Sequence, residues 1–97
     1  MARHQKLGSI LRKGREASGM TLDSLAKRTR TSTTTLSRLE NGDETRRPGE
    51  ELLHRLSKEL KIDRDELFVA AGRLPSDVAK WIFRPGALRR VREIMAA

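Results

Sequence analysis

The stretch Leu22 to Asn41, LDSLAKRTRTSTTTLSRLEN, decides how this chain folds. It reads as two short helices joined by about three residues, a link so tight that the helices must cross. Thr21 and Ser32 stand where helix N-caps belong. Crossing at short range needs a small side chain at the contact, and Ala26 supplies it, with Leu25 packed beside it. Leu36 and Leu39, three apart, form the matching ridge. Turning those leucines inward forces Thr33, Thr34, Ser37 and Arg38 outward. Read alone, the run Thr31 to Thr35 is equally a polar loop, because threonine is a poor helix former. The leucines that follow, with Gly42 as a stop, favour the helix.

Working outward, turn residues divide the rest into further helical candidates, and no strand pattern competes. A first helix runs from about Lys6 to Ser18, with Leu7, Ile10 and Leu11 on one stripe and Gly19 ending it. Gly14 is expected to loosen it locally. The second and third run Leu22–Thr29 and Thr33–Glu40. Pro48 suits the start of a fourth helix, whose Leu52, Leu53, Leu56 and Leu60 form the strongest apolar stripe. Asp63 and Glu66 read as a capping box for a fifth, with Leu67 and Phe68, closing at Gly72. Pro75 and Ser76 open a sixth, broken by Pro85 and Gly86. The last stretch, Ala87 to Ala97, is amphipathic. His54 is read as partly exposed and uninvolved.

Composition narrows the function. The chain has 97 residues and no cysteine, and only His4 and His54 as histidines, which argues against disulfides, thiolate catalysis and metal sites. Neither tyrosine nor a glycine-rich phosphate loop offers catalysis, so no enzyme activity, cofactor or metal is expected. No apolar run approaches the roughly 18 residues of a membrane span, and the N-terminal stretch lacks a signal's apolar segment, which points to a soluble, cytoplasmic protein. The net charge of +8 calls for a polyanionic partner. It is uneven: residues 1–22, 23–48, 49–72 and 73–97 carry +4, +2, −2 and +4. A basic first half beside an acidic block is what a nucleic-acid face would leave.

The segment resembles the helix-turn-helix of the phage Cro and repressor family, also called the XRE family. The likeness spans roughly Leu7 to Gly72. It is carried by Leu7-Gly8, Arg12, Arg15, Gly19-Met20-Thr21, Leu25-Ala26, Ser32, Leu36-Ser37-Arg38-Leu39-Glu40-Asn41-Gly42, Pro48, Asp63, Glu66 and Leu67. The resemblance implies an all-α, five-helix, lambda repressor-like DNA-binding domain over residues 1–72. Residues 73–97 would be a C-terminal helical extension.

It also implies roles. The second helix of the motif would enter the major groove, with Thr33, Thr34, Ser37 and Arg38 reading base edges. Asn41 would bond a phosphate, and Arg46 and Arg47 would lie along the sugar-phosphate chain. Arg15 and Glu40 match a pair that, in relatives, joins the first helix to the end of the reading helix. Three departures stand out. Leu22 replaces a phosphate-bonding glutamine, leaving the backbone N–H groups of the same helix end for that work, and Ser32 is a further phosphate candidate. Arg30 stands where glycine is common, and adds a candidate phosphate contact at a cost of about 1 kcal/mol if the turn is left-handed. Gly14 is the third.

The expected function is sequence-specific binding of double-stranded DNA by a transcriptional regulator, in the simplest case a repressor, acting as a homodimer on an inverted repeat. The apolar residues of the tail, Trp81, Ile82, Phe83, Leu88, Val91 and Met95, either fold back on the domain or bury against a second chain. Pairing is favoured because it places two reading helices about 34 Å apart, one turn of the duplex. A tail that binds a different protein would instead make the chain an antitoxin or a controller protein. A generic nucleoid binder is a third class, and a membrane-surface role has little support from so short a helix.

Overall fold

The computed structural model describes residues 6–43 and 47–97. Among them are seven helices and no strand: α1 Leu7–Ala17, α2 Leu22–Arg28, α3 Thr33–Glu40, α4 Glu50–Leu60, α5 Arg64–Ala70, α6 Ser76–Ile82 and α7 Ala87–Ala96. The starts are chemical. Thr21 Oγ1 accepts from Ser24 N at 3.0 Å, Ser32 Oγ from Thr35 N at 3.0 Å, and Asp63 Oδ2 from Glu66 N at 3.1 Å. Each satisfies one of the N–H groups that a helix start leaves unpaired. Helix α4 begins later than Pro48 suggests: Gly49 is its N-cap, while Pro48 is buried and its carbonyl accepts from Arg73 Nε at 2.8 Å.

The ends share one device. Helices α1 to α5 each close with a residue in the left-handed region, at Gly19, Arg30, Gly42, Lys61 and Gly72. In each case the next residue's N–H reaches back to a carbonyl five residues earlier, as Asp43 N does to Arg38 O at 3.0 Å and Thr31 N to Ala26 O at 3.0 Å. Two of the five positions are therefore filled by side chains that strain there, and Lys61 had given no sign in the sequence.

The core is contributed by α1 to α5: Leu7, Leu11, Leu25, Ala26, Leu36, Leu39, Leu53, Leu56, Leu60, Leu67, Phe68 and Ala71. Helix α1 lies centrally, against α3, α4 and α5, and α2 rests on α3. Two glycines set its approach. A Cβ on Gly8 would sit 2.5 Å from the Glu40 carbonyl oxygen and 2.6 Å from that of Leu39, so α1 presses on the backbone of the last turn of α3. A Cβ on Gly14 would meet Ile62 Cδ1 at 2.9 Å. Helix α1 is continuous through Gly14, and the missing side chain there admits Ile62 from the α4–α5 turn. His54, half-buried in α4, sets its ring edge to face against Phe68 at 5.3 Å.

Helices α6 and α7 pack on each other and add no side chain to that core. The radius of gyration, 15.3 Å, exceeds the 12 to 13 Å or so of a compact chain of this length, because the tail projects. The fold-back alternative is thus not what a single chain adopts. The tail is nevertheless tied at its root. Glu50 accepts from Ser76 N at 2.9 Å and from Ser76 Oγ at 2.8 Å, linking the first turn of α4 to that of α6.

The Ser76 hydroxyl holds the Glu50 carboxyl below the usual carboxylate range. A group whose pKa is depressed by folding stabilises the fold above its unfolded pKa and stops doing so as the pH falls through its folded value. Ser76→Ala is therefore expected to lower the melting temperature near neutral pH, by a difference that starts to shrink as the pH falls below the ordinary glutamate value of about 4.3 and is lost once the pH has passed through the lowered value of the folded state. Melting curves across that range check it, and a pH-independent difference would contradict it.

Candidate nucleic-acid interface

Helix α3 owes its orientation to two anchors. Leu36 and Leu39 are buried on one side, and at its end the Glu40 carboxylate is 2% exposed. Arg15 meets that carboxylate with both prongs of its guanidinium, Nε to Oε2 at 2.7 Å and Nη2 to Oε1 at 3.0 Å, and its Nη1 donates to the Met20 carbonyl at 2.9 Å. The Glu40 bond raises the Arg15 pKa above its ordinary value, against the opposing effect of burial. With so little solvent at Glu40 this is a structural fork pair, not the exposed kind that contributes little. It joins α1 to the C-terminal end of α3.

On the opposite side of α3, Thr33, Thr34 and Arg38 are exposed and Ser37 is half-buried. Thr33 Oγ1 donates to Asp23 Oδ1 across the motif at 3.3 Å, whereas the side chains of Thr34 and Arg38 have no partner among the described residues. Ser32 is committed: besides its cap it donates to Thr35 Oγ1 at 2.9 Å, so only its backbone remains for an outside ligand. Leu22 is half-buried and packs against the core. Arg30 is exposed on the left-handed turn between α2 and α3, and Asn41 is exposed just past α3. Arg47 is exposed, with its guanidinium over the end of α5, where a Cβ on Gly72 would lie 3.6 Å from its Cζ. Arg46 lies outside the described residues.

Arg12, one of the residues that carry the family resemblance, was given no role of its own by the sequence. Its Nη2 donates to Asn41 Oδ1 at 2.9 Å and its Nε to Glu40 Oε1 at 3.4 Å. The signal was its placement three residues before Arg15, on the same helical face. Among the residues assigned to a dimer or partner surface, Trp81, Phe83, Leu88 and Met95 are exposed, Phe83 at 87% and Met95 at 77%, while Ile82 and Val91 are half-buried. They line the projecting tail, away from the α3 anchors. No helix among the described residues is long and apolar enough to cross a membrane.

Known proteins agree with this geometry. A family model described as helix-turn-helix matches residues 11–67, which covers α2 and α3 whole. No curated protein matches the chain. Among solved structures, the clp gene regulator ClgR from Corynebacterium glutamicum is similar, with 29% identity over 93% of this chain and 82% of that one and a TM-score of 0.57. The chain belongs to the helix-turn-helix family of the phage Cro and repressor type, whose members are DNA-binding transcriptional regulators.

Proposed function

We propose that the chain is a cytoplasmic, sequence-specific regulator that reads an inverted repeat in double-stranded DNA as a homodimer, and that it represses by occupying a promoter. The exposed face of α3 carries this reading, since Thr34 and Arg38 have no partner among the described residues and await one. In the major groove Arg38 would engage guanine O6 and N7 together, and the threonines would touch base edges or a thymine methyl. Ser37 would lie beside them. Arg30, Asn41, Arg46, Arg47 and the backbone near Leu22 and Ser32 would hold phosphates, contributing affinity without sequence information. Residues 1–72 would form the DNA-binding unit, and the apolar tail of 73–97 would pair two copies. The name of the similar clp gene regulator fits a control function of this kind.

Selection of bound duplexes from a random pool tests this reading: a palindromic consensus is expected, and its absence would leave only generic binding. Arg38→Ala should weaken the consensus duplex by about 1–3 kcal/mol and relax one position per half-site. A loss of equal size on random DNA would remove Arg38 as a reader. The exposed tail also supports a second reading, an antitoxin or controller whose tail grips another protein. A purified chain that is monomeric at micromolar concentration would favour it.

Arg30→Gly separates folding from binding. Relief of the left-handed backbone, where Arg30 has φ 57°, should stabilise the protein by about 0.5–1 kcal/mol, while loss of the cation should weaken all duplexes alike. Thermal melting and titration at matched salt would read the two opposite signs.

A further inference from the structure

Asn41 sits at the end of α3 between two partners that differ in kind. On one side is Arg12 Nη2, 2.9 Å from its side-chain oxygen. On the other is Ser37 Oγ, 3.4 Å from its side-chain nitrogen. A guanidinium has donors only, so the amide atom facing Arg12 must be the oxygen, and the nitrogen is thereby turned to Ser37. One N–H of that nitrogen is left over on an exposed residue. Arg12 is itself steadied, because its Nε lies 3.4 Å from the Glu40 carboxylate that Arg15 holds from the other side.

We propose that Arg12 is a positioning residue of this DNA interface: it locks the Asn41 amide with its nitrogen outward, so that the end of α3 offers a donor to a phosphate oxygen. The inference rests on the DNA-binding reading given above. Without Arg12 an exposed amide turns about its two-fold terminal torsion and presents its oxygen as readily as its nitrogen. An oxygen facing a phosphate repels it. Arg12 also shares the Glu40 carboxylate with Arg15, so its own charge is partly spent inside the protein, and its effect on DNA runs through Asn41.

The test is a double-mutant cycle on the full chain, titrated against the selected duplex and against random DNA. Asn41→Ala is expected to weaken both duplexes roughly tenfold, the scale of one charge-assisted hydrogen bond, and Arg12→Met about twofold, the loss when half of the amides present oxygen instead of nitrogen. Combined, they should bind no worse than Asn41→Ala alone. Losses that multiply would overturn the proposal and make Arg12 an independent phosphate contact. Arg15 keeps Glu40 paired in Arg12→Met, and the melting temperature of that variant monitors its fold.

A second readout needs no DNA. Nitrogen relaxation of the Asn41 side-chain amide in the free wild-type protein should report a rigid group, which becomes mobile in Arg12→Met. An order parameter below about 0.6 in the wild type would refute the lock. A wild-type chain that bound no duplex would sink the DNA reading and with it this role, while the relaxation measurement would still say whether the lock exists.

Discussion

Glu40→Ala is expected to lower stability by about 3 kcal/mol, the low end for removing one partner of a buried ion pair, because Arg15 keeps some solvent. The carboxylate it deletes is 2% exposed and the Arg15 side chain 15%. Three guanidinium bonds to Glu40 are lost at once, two from Arg15 and one from Arg12, and the Arg15 charge is left half-enclosed without its counter-ion. For a domain of this size the melting temperature should fall by roughly 12–24 °C. Glu40→Gln, which keeps the shape and one acceptor oxygen, should lose distinctly less. A drop of under about 1 kcal/mol for Glu40→Ala would mean that the pair behaves as a surface contact.

The second large effect comes from a single methyl group. Gly8→Ala places a Cβ at 2.5 Å from the Glu40 carbonyl oxygen and 2.6 Å from that of Leu39, and backbone cannot step aside as a side-chain tip can. Helices α1 and α3 must separate, at a cost of about 3 kcal/mol that alanine's better helix preference, worth up to about 1 kcal/mol, does not offset. A net loss of about 2 kcal/mol is expected. Because α3 is what moves, affinity for the selected duplex should fall by roughly a hundredfold, far more than for random DNA. Gly14→Ala is the contrasting case: its Cβ would crowd the tip of the Ile62 side chain at 2.9 Å, which can turn away, and would lie in ordinary contact with Leu60 Cδ1 at 3.4 Å and Cβ at 3.5 Å. Its stability should change by less than about 0.5 kcal/mol, the preference for alanine balancing the shift of Ile62. Chemical denaturation of the two variants side by side measures the difference, and equal losses would show that the α1–α3 contact is not special.

Much of the fold was written locally. Thr21, Ser32 and Asp63 announce helix starts through hydroxyl and carboxylate groups that need only the next turn of chain, and Gly19, Gly42 and Gly72 announce ends through a conformation that only they adopt freely. The outward face of α3 was legible for a similar reason: once Leu36 and Leu39 are inside, helical geometry leaves Thr34 and Arg38 nowhere else to go. The partners of Arg12 were not legible, nor was the packing use of Gly8 and Gly14, since each depends on which residues a different helix brings within a few ångströms. The start of α4 was misjudged at Pro48 because its carbonyl serves Arg73, 25 residues away.

The chain's sequence by itself therefore determined the basic charge, by composition, and the helices, their order and the hydroxyl-rich outward face of α3, which follow from propensity, capping and periodicity acting over a few residues. Tertiary structure alone decided how close α1 comes to α3, that the Glu40 carboxylate is buried and takes Arg12 besides the Arg15 that the resemblance had paired with it, and that α6 and α7 stand off the core with Phe83 and Met95 in solvent. The physical reason is distance along the chain. Steric fit and ion pairing between residues 25 or more positions apart have no local signature, and they exist only once the leucine core has fixed the helices against one another.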